Sequence, residues 1–210
     1  MSTDASLKPM MEGVVPVIVF TLLYMAAAVI GALSTGNAEF LIYIGVMIVL
    51  IGVVGYVHYR VRLTKGALWA LSIWGALHMA GGLVPLPEGW AIKGDIRVLY
   101  SWWRIPDLLK YDHVVHAYGF AVTTWVCWQG LKKALRTWTP DPRPSFGLMV
   151  LCAMGGMGFG GMNEVIEFTA TLLVPETNVG GYVNTGWDLV SNLTGSVVAA
   201  TLIWATERNG

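Results

Sequence analysis

Six long apolar stretches constrain the fold of this chain more than any other feature. A helix needs about 20 residues to cross the hydrocarbon core of a bilayer, and each stretch reaches that length. They lie near residues 14–33, 39–58, 67–86, 111–131, 146–172 and 187–206. They lack the two-residue alternation of barrel strands, so helices must satisfy their backbone groups in lipid. The sequence predicts an all-α, polytopic membrane bundle of about six transmembrane helices, forming a single domain over residues 1–210.

Composition agrees with a membrane protein and argues against a nucleic-acid partner. The chain is 55% hydrophobic and 12% charged, which is too apolar for a soluble domain. Lys and Arg number 13 and Asp and Glu also number 13, so no net positive charge favours nucleic acid. Cys127 and Cys152 lie in apolar stretches without metal-ligand spacing, which is typical of packing residues. Membrane lipids are the expected surroundings.

The distribution of basic residues predicts the orientation. Cytoplasmic loops carry an excess of Lys and Arg. A cytoplasmic amino terminus places most of the basic residues inside: Lys8, Arg60, Arg62, Lys65, Lys132, Lys133, Arg136, Arg143 and Arg208. The outside then receives only Lys93, Arg97, Arg104 and Lys110. We therefore expect a multi-pass protein of the inner (plasma) membrane with both termini in the cytoplasm.

The longest outer connection, residues 87–110, mixes aromatic, aliphatic and charged side chains. Aromatic and basic residues of this kind favour the membrane–water interface. We interpret residues 95–110 as an interfacial or re-entrant segment over the bundle. An ordinary loop anchored by Trp102 and Trp103 is the alternative.

Polar and ionisable side chains inside the predicted helices cluster at one depth. A charge near the membrane centre costs at least about 2.5–3.5 kcal/mol, so such residues tend to be paired and functional. Residues three or four apart share a helix face, which gives each of three helices one polar face. With a rise of about 1.5 Å per residue, these groups all fall in the outer leaflet. They are His78, Asp112, His113, His116, Asn163, Glu164, Glu167, Asp188 and Asn192.

Carboxylates from several helices cannot all be ionised in one dry pocket unless a cation or protons offset them. Nitrogen and oxygen ligands on bundle helices suit Zn, Mn or Fe. The predicted ligands of a divalent metal ion are His78, Asp112, His116, Glu164 and Asp188. Glu167 is predicted to serve as the general base or to orient a metal-bound water, and Asp188 is also a predicted catalytic residue. A protonated hydrogen-bonded network, or polar residues that serve packing and water cavities, are the alternatives.

Short motifs in a fixed order resemble the YjdF-like family of multi-pass membrane proteins and, more distantly, the VanZ-like family. These motifs are His78-Met79-Ala80-Gly81-Gly82, Tyr111-Asp112-His113-Val114-Val115-His116, Asn163-Glu164-Val165-Ile166-Glu167 and Asn184-Thr185-Gly186-Trp187-Asp188. Gly82-Leu83-Val84 departs from the YjdF-like pattern, in which Tyr-Thr-Tyr follows the glycine. The resemblance implies a helical bundle of the bacterial inner membrane that carries this constellation of Asp, His and Glu.

Three functions fit these features. The first is a metal-dependent enzyme that acts at the outer leaflet on a lipid or lipid-linked substrate. The second is a proton- or cation-coupled transporter that uses the carboxylates as a relay. Acidic residues do not continue through the inner halves of the predicted helices, which disfavours a full pathway. The third is a non-catalytic membrane scaffold.

Overall fold

A computed structural model describes residues 13–36, 38–92, 96–106, 108–174, 177 and 179–208. Within these ranges, each predicted apolar stretch corresponds to one α-helix, and the all-α bundle is confirmed. The helices are α1 (Val15–Thr35), α2 (Ala38–Val61), α3 (Lys65–Leu83), α4 (Tyr111–Leu135), α5 (Phe146–Leu173) and α6 (Tyr182–Glu207). Length and composition allow α1, α2, α5 and α6 to cross a membrane. Six membrane crossings remain a prediction.

Helix ends follow local chemistry. Gly36 ends α1 in the left-handed conformation with φ 66°, which glycine adopts at little steric cost. Thr64 caps α3, since its hydroxyl accepts a hydrogen bond from the Ala67 backbone N–H at 3.2 Å. Ser145 caps α5 in the same way through the Leu148 N–H. These caps satisfy backbone groups where each helix begins or ends.

Helix boundaries differ from the apolar pattern by up to five residues, and the end of α3 and the start of α6 have a local cause. Helix α3 ends at Leu83, three residues before the predicted end, because Val84 precedes Pro85 and takes an extended conformation. Helix α6 begins at Tyr182, five residues before the predicted start. Its first turn is polar, so hydropathy misses it, although the backbone is helical.

A short hairpin and a single 3-10 turn cover the end of the bundle where α4 and α6 begin. The turn is Leu99–Ser101, and β1 (Trp103–Ile105) pairs antiparallel with β2 (Leu109–Lys110). The predicted interfacial segment 95–110 thus has regular structure over much of its length. Its placement at a membrane interface remains a prediction. Residues Lys8, Lys93 and Asp107 lie outside the described part of the chain.

Helices α4, α5 and α6 pack closely together, and this packing positions the polar residues. At Gly195 of α6, an added Cβ would collide with the backbone oxygen of Ala117 in α4. Gly156 of α5 leaves room for the Thr124 and Ser196 side chains in the same manner. Close approach at glycine is typical of membrane helices. It brings the polar faces of the three helices into contact.

Candidate metal centre

His116, on α4, lies at the centre of four acidic side chains. Its imidazole is buried, with 3% of the residue exposed, and the surrounding carboxylates come from α4, α5 and α6. The four are Asp112, Glu164, Glu167 and Asp188. The polar faces of α4, α5 and α6 therefore converge in the structure, which the sequence alone left open.

The two ring nitrogens of His116 have different surroundings. Nδ1 lies 3.0 Å from Oδ1 of Asn192, which is a normal hydrogen-bond length. Nε2 lies 3.5 Å from Oδ1 of Asp112 and 3.8 Å from Oε1 of Glu167. These separations exceed the usual N–H···O range. One nitrogen is hydrogen-bonded, and the other faces carboxylate oxygens across a wider gap.

Some ligand atoms in this cluster lie close enough together to share a cation. Two overlapping groups, Asp112–His116–Asp188 and His116–Glu164–Glu167, each place one ligand atom per residue within 4.8 Å of the others. Two ligands that each bind a metal at about 2.1 Å lie at most about 4.2 Å apart. The distances from Nε2 to Asp112 and Glu167 fall below that limit. The buried carboxylate–histidine group is therefore able to hold a metal ion.

Asp188 provides an independent indication. The residue is fully buried, and Asn184 Nδ2 donates a hydrogen bond to its Oδ2. Its other oxygen, Oδ1, has no hydrogen-bond partner among the described residues. An unsatisfied buried polar atom costs about 1–3 kcal/mol. A cation beside Oδ1 would remove that cost.

Lys110 contributes a buried ammonium group at the outer edge of the site. Its Nζ lies 3.1 Å from Oδ2 of Asp112 and donates to Oδ1 of Asn184 at 2.9 Å. One lysine offsets only part of the charge of four neighbouring carboxylates. The remaining negative charge must therefore be offset by a cation or by protons on the carboxylates.

His78 lies outside both ligand groups. Its Nδ1 shares a hydrogen bond with the hydroxyl of Tyr100, and burial raises the pKa of that hydroxyl well above its ordinary value. His78, Asn163 and Glu167 line a cavity of about 30 Å³ next to the site. A cavity of this size holds one or two water molecules. His78 and Glu167, one of the predicted catalytic residues, therefore line the same cavity, although His78 is not a member of either ligand group.

His113 points away from the carboxylates, as its position on the helix predicts. Its ring packs between Trp103 and Trp187, and 6% of the residue is exposed. It borders an open groove of about 390 Å³ between α4 and α6, which is within the range of ligand pockets. Apolar residues such as Val114 and Val190 line much of this groove.

Lys110, Asn184 and Tyr100 are neighbours of the site that spacing arguments did not assign to it. Lys110 precedes the first turn of α4, and Asn184 lies in the polar first turn of α6. A weak signal existed, because Asn184 and Asp188 are four residues apart and share a helix face. Lys110 and Tyr100 come from residues 95–110, the segment that covers this end of the bundle. The path of that segment does not follow from helix periodicity.

Comparisons with known proteins agree with this architecture. The model of a family described as "Predicted membrane protein (DUF2238)" matches residues 16–209. A protein of Thermotoga maritima named "Uncharacterized protein" is 30% identical over 95 residues, which is 45% of this chain and 47% of that relative. The chain thus spans about half the length of this relative. No solved structure matches the chain.

Proposed function

The chain belongs to this DUF2238 family of predicted membrane proteins, and from that premise we propose that it is a metal-dependent enzyme of the inner membrane. Its substrate is a lipid or a lipid-linked molecule of the outer leaflet. The metal is a divalent ion such as Zn, Mn or Fe, because the candidate ligands are nitrogen and oxygen atoms.

The proposal depends chiefly on the surroundings of His116 Nε2. Nε2 and the nearest oxygen of Asp112 are too far apart for a hydrogen bond, yet close enough to share one ion. Oε1 of Glu167 also lies near Nε2, at 3.8 Å, but Glu167 is not in the proposed ligand set. A proton on Nε2 would favour shorter contacts with one of the carboxylates. Oδ1 of Asp188, which has no hydrogen-bond partner in the described part of the chain, also favours a cation.

Distinct roles follow from the geometry. His116 Nε2, Asp112 and Asp188 would hold the ion, which supplies Lewis-acid activation when bound. Glu167 receives a hydrogen bond from Asn163 at 2.8 Å and borders the water-sized cavity. It would accept a proton from water in that cavity. Glu164 lies 3.6 Å from Nδ1, on the other side of the ring, and would help to orient His116.

The groove between α4 and α6 supports a substrate with an apolar part. It is open, and Leu109 in its lining directly precedes Lys110, whose ammonium group reaches the site. An acyl or prenyl chain in the groove would leave the polar end of the substrate near the bundle end at Lys110.

Elemental analysis tests the metal centre directly. Protein purified without chelator, then incubated with Zn, Mn or Fe and desalted, should retain about one metal ion per chain, as expected for a site of this ligand number. His116→Ala and Asp188→Asn should lose it. His58→Gln is the matched control, because His58 lies at the opposite end of the bundle. Wild-type protein without metal under all three conditions would refute the proposal.

The enzymatic part of the proposal needs a separate readout. Purified protein should convert a component of bacterial polar-lipid vesicles into a product detected by mass spectrometry. Glu167→Gln should abolish this conversion while the protein keeps its metal, since Glu167 is proposed to move a proton. If the metal-loaded wild type leaves all vesicle lipids and added lipid-linked precursors unchanged, the enzyme assignment is wrong.

A further inference from the structure

Asn192 occupies the space between His116 and Glu164 and has no assigned role. It is fully buried in α6. Its Nδ2 lies 3.4 Å from Oε1 of Glu164, and its Oδ1 lies 3.0 Å from Nδ1 of His116. The amide therefore connects the imidazole on α4 with a carboxylate on α5.

These contacts determine which His116 nitrogen carries hydrogen. The carboxylate oxygen of Glu164 accepts, so the amide of Asn192 turns its N–H groups toward Glu164. Its carbonyl oxygen then faces His116 and requires a donor at Nδ1. In a neutral imidazole only one nitrogen carries hydrogen. Nε2 is left with a free lone pair directed at Asp112 and Glu167.

We infer that Asn192 is a positioning residue that holds His116 in the Nδ1–H form, so that Nε2 is free to bind the metal. The consequence for metal binding rests on the proposed metal centre. The position of the hydrogen on the His116 ring, in contrast, is a property of the metal-free chain as well. Metal-ligating histidines commonly donate their second ring N–H to an oxygen, which fixes ring orientation.

Gly160 of α5 makes this arrangement sterically feasible. A Cβ added at Gly160 would lie 2.7 Å from Nδ2 of Asn192 and 2.9 Å from its Cβ and Cγ. Real Cβ atoms do not approach other heavy atoms so closely, so the amide would have to move. At the adjacent Gly161 an added Cβ meets no atom within 4 Å. The pair thus provides a variant that displaces Asn192 and a matched control that does not.

Solid-state NMR of protein in lipid vesicles tests the inference without metal. Histidine labelled with ¹³C and ¹⁵N reports which ring nitrogen carries hydrogen, and a His116→Gln sample assigns the His116 signals among the four histidines. The neutral His116 ring of the wild type should show hydrogen on Nδ1. Asn192→Asp should retain this form, because a carboxylate still accepts from Nδ1. Asn192→Leu and Gly160→Ala should shift the ring toward a mixture that includes hydrogen on Nε2, whereas Gly161→Ala should not.

Metal titration then measures the consequence. Loss of such a supporting hydrogen bond typically weakens metal binding about 10- to 100-fold, and we expect this for Asn192→Leu and Gly160→Ala. Asn192→Asp should bind within a few-fold of wild type. A wild-type His116 with hydrogen on Nε2, or an unchanged ring in Asn192→Leu, overturns the inference. If the wild type binds no metal but shows the Nδ1–H form, the metal centre fails while the role of Asn192 in fixing the ring stands.

Discussion

Lys110 illustrates how strongly one buried charge depends on its partners. Its ammonium group contacts Asp112 and Asn184, and the Lys110 and Asp112 side chains are only 10% and 12% exposed. In such surroundings water screens the charges weakly, so removal of one partner leaves the other uncompensated. Lys132 forms a comparable 2.9 Å ion pair with Glu207, but those side chains are 27% and 33% exposed.

Replacement of the two lysines should therefore have different effects. Lys110→Met should reduce the free energy of unfolding of metal-free protein by about 3 kcal/mol, because Asp112 keeps a buried charge. Lys132→Met should cost about 1 kcal/mol or less, as partly exposed pairs do. Thermal unfolding in detergent with a chelator measures both. Zn should raise the unfolding temperature of Lys110→Met more than that of wild type, since a cation replaces the lost ammonium.

Equal destabilisation by the two substitutions would contradict this account of the site. So would a Lys110→Met protein that no longer responds to Zn, because Lys110 is not a proposed ligand. Neither outcome would affect the assignment of Asp188, whose carboxylate lies on a different helix.

Among single residues, the sequence pointed to the acidic and imidazole members of the candidate site. It did not assign Lys110, Asn184 or Tyr100 to it. Asp112 and His116 share a helix face, and Glu164 and Glu167 share another, so periodicity alone placed them. His78 has the same rarity in an apolar helix, yet it turns toward Tyr100. The direction of the His78 side chain depends on where residues 95–110 lie, and no local sequence pattern predicts that position.

The contact between α4 and α6 is the element that holds the site together. Helix α4 carries Asp112 and His116, and α6 carries Asp188 and Asn192. Their separation is limited at Gly195, where the backbone oxygen of Ala117 leaves no room for a side chain. A backbone obstacle cannot rotate away as a side chain can, so a larger residue must move the helices apart.

Gly195→Ala should accordingly destabilise the protein and disrupt metal binding together. Overpacking of this kind costs about 1–3 kcal/mol, and the displacement separates ligands on α4 from those on α6. Gly186→Ala is the control on the same helix, because a Cβ there meets no atom within 4 Å. It should leave stability and metal content unchanged or slightly improve stability, since alanine favours helix more than glycine does. A Gly195→Ala protein with normal metal content would show that the helix separation is not critical to the site.

Helix boundaries were predictable from the sequence where an apolar stretch begins sharply. Segments of polar or mixed composition were less predictable. The start of α5 agrees with the apolar stretch, since hydropathy changes abruptly at Phe146. The first turn of α6 and the hairpin β1–β2 are polar or mixed, and their structure depends on tertiary contacts. These contacts include the hydrogen bond from Lys110 to Asn184. Local composition cannot report such pairings.

The molecule as a whole has two unlike ends. The end with the candidate metal centre carries the hairpin and, among the described residues, the basic residues Arg97, Arg104 and Lys110. The opposite end carries more described basic residues, namely Arg60, Arg62, Lys65, Lys132, Lys133, Arg136, Arg143 and Arg208. The positive-inside rule predicts that the more basic end lies in the cytoplasm, and the site would then lie at the outer leaflet.

Labelling of introduced cysteines tests this orientation. Glu88 and Asp141 are both exposed and lie on opposite sides of α4 in the chain. In a background with Cys127 and Cys152 changed to serine, a membrane-impermeant maleimide should label Glu88→Cys in intact cells whose outer membrane has been made permeable. Asp141→Cys should react only after the inner membrane is broken. The cysteine-free background controls for unspecific reaction.

The other outcomes have definite meanings. Labelling of Asp141→Cys alone in intact cells would invert the topology and place the metal centre in the cytoplasmic leaflet, where the proposed outer-leaflet substrate could not reach it. Labelling of both positions would mean that α4 does not cross the membrane, although its 25 residues span about 37 Å as a helix. Because α4 carries His116, this measurement decides from which side of the membrane a substrate and a metal ion must approach the site.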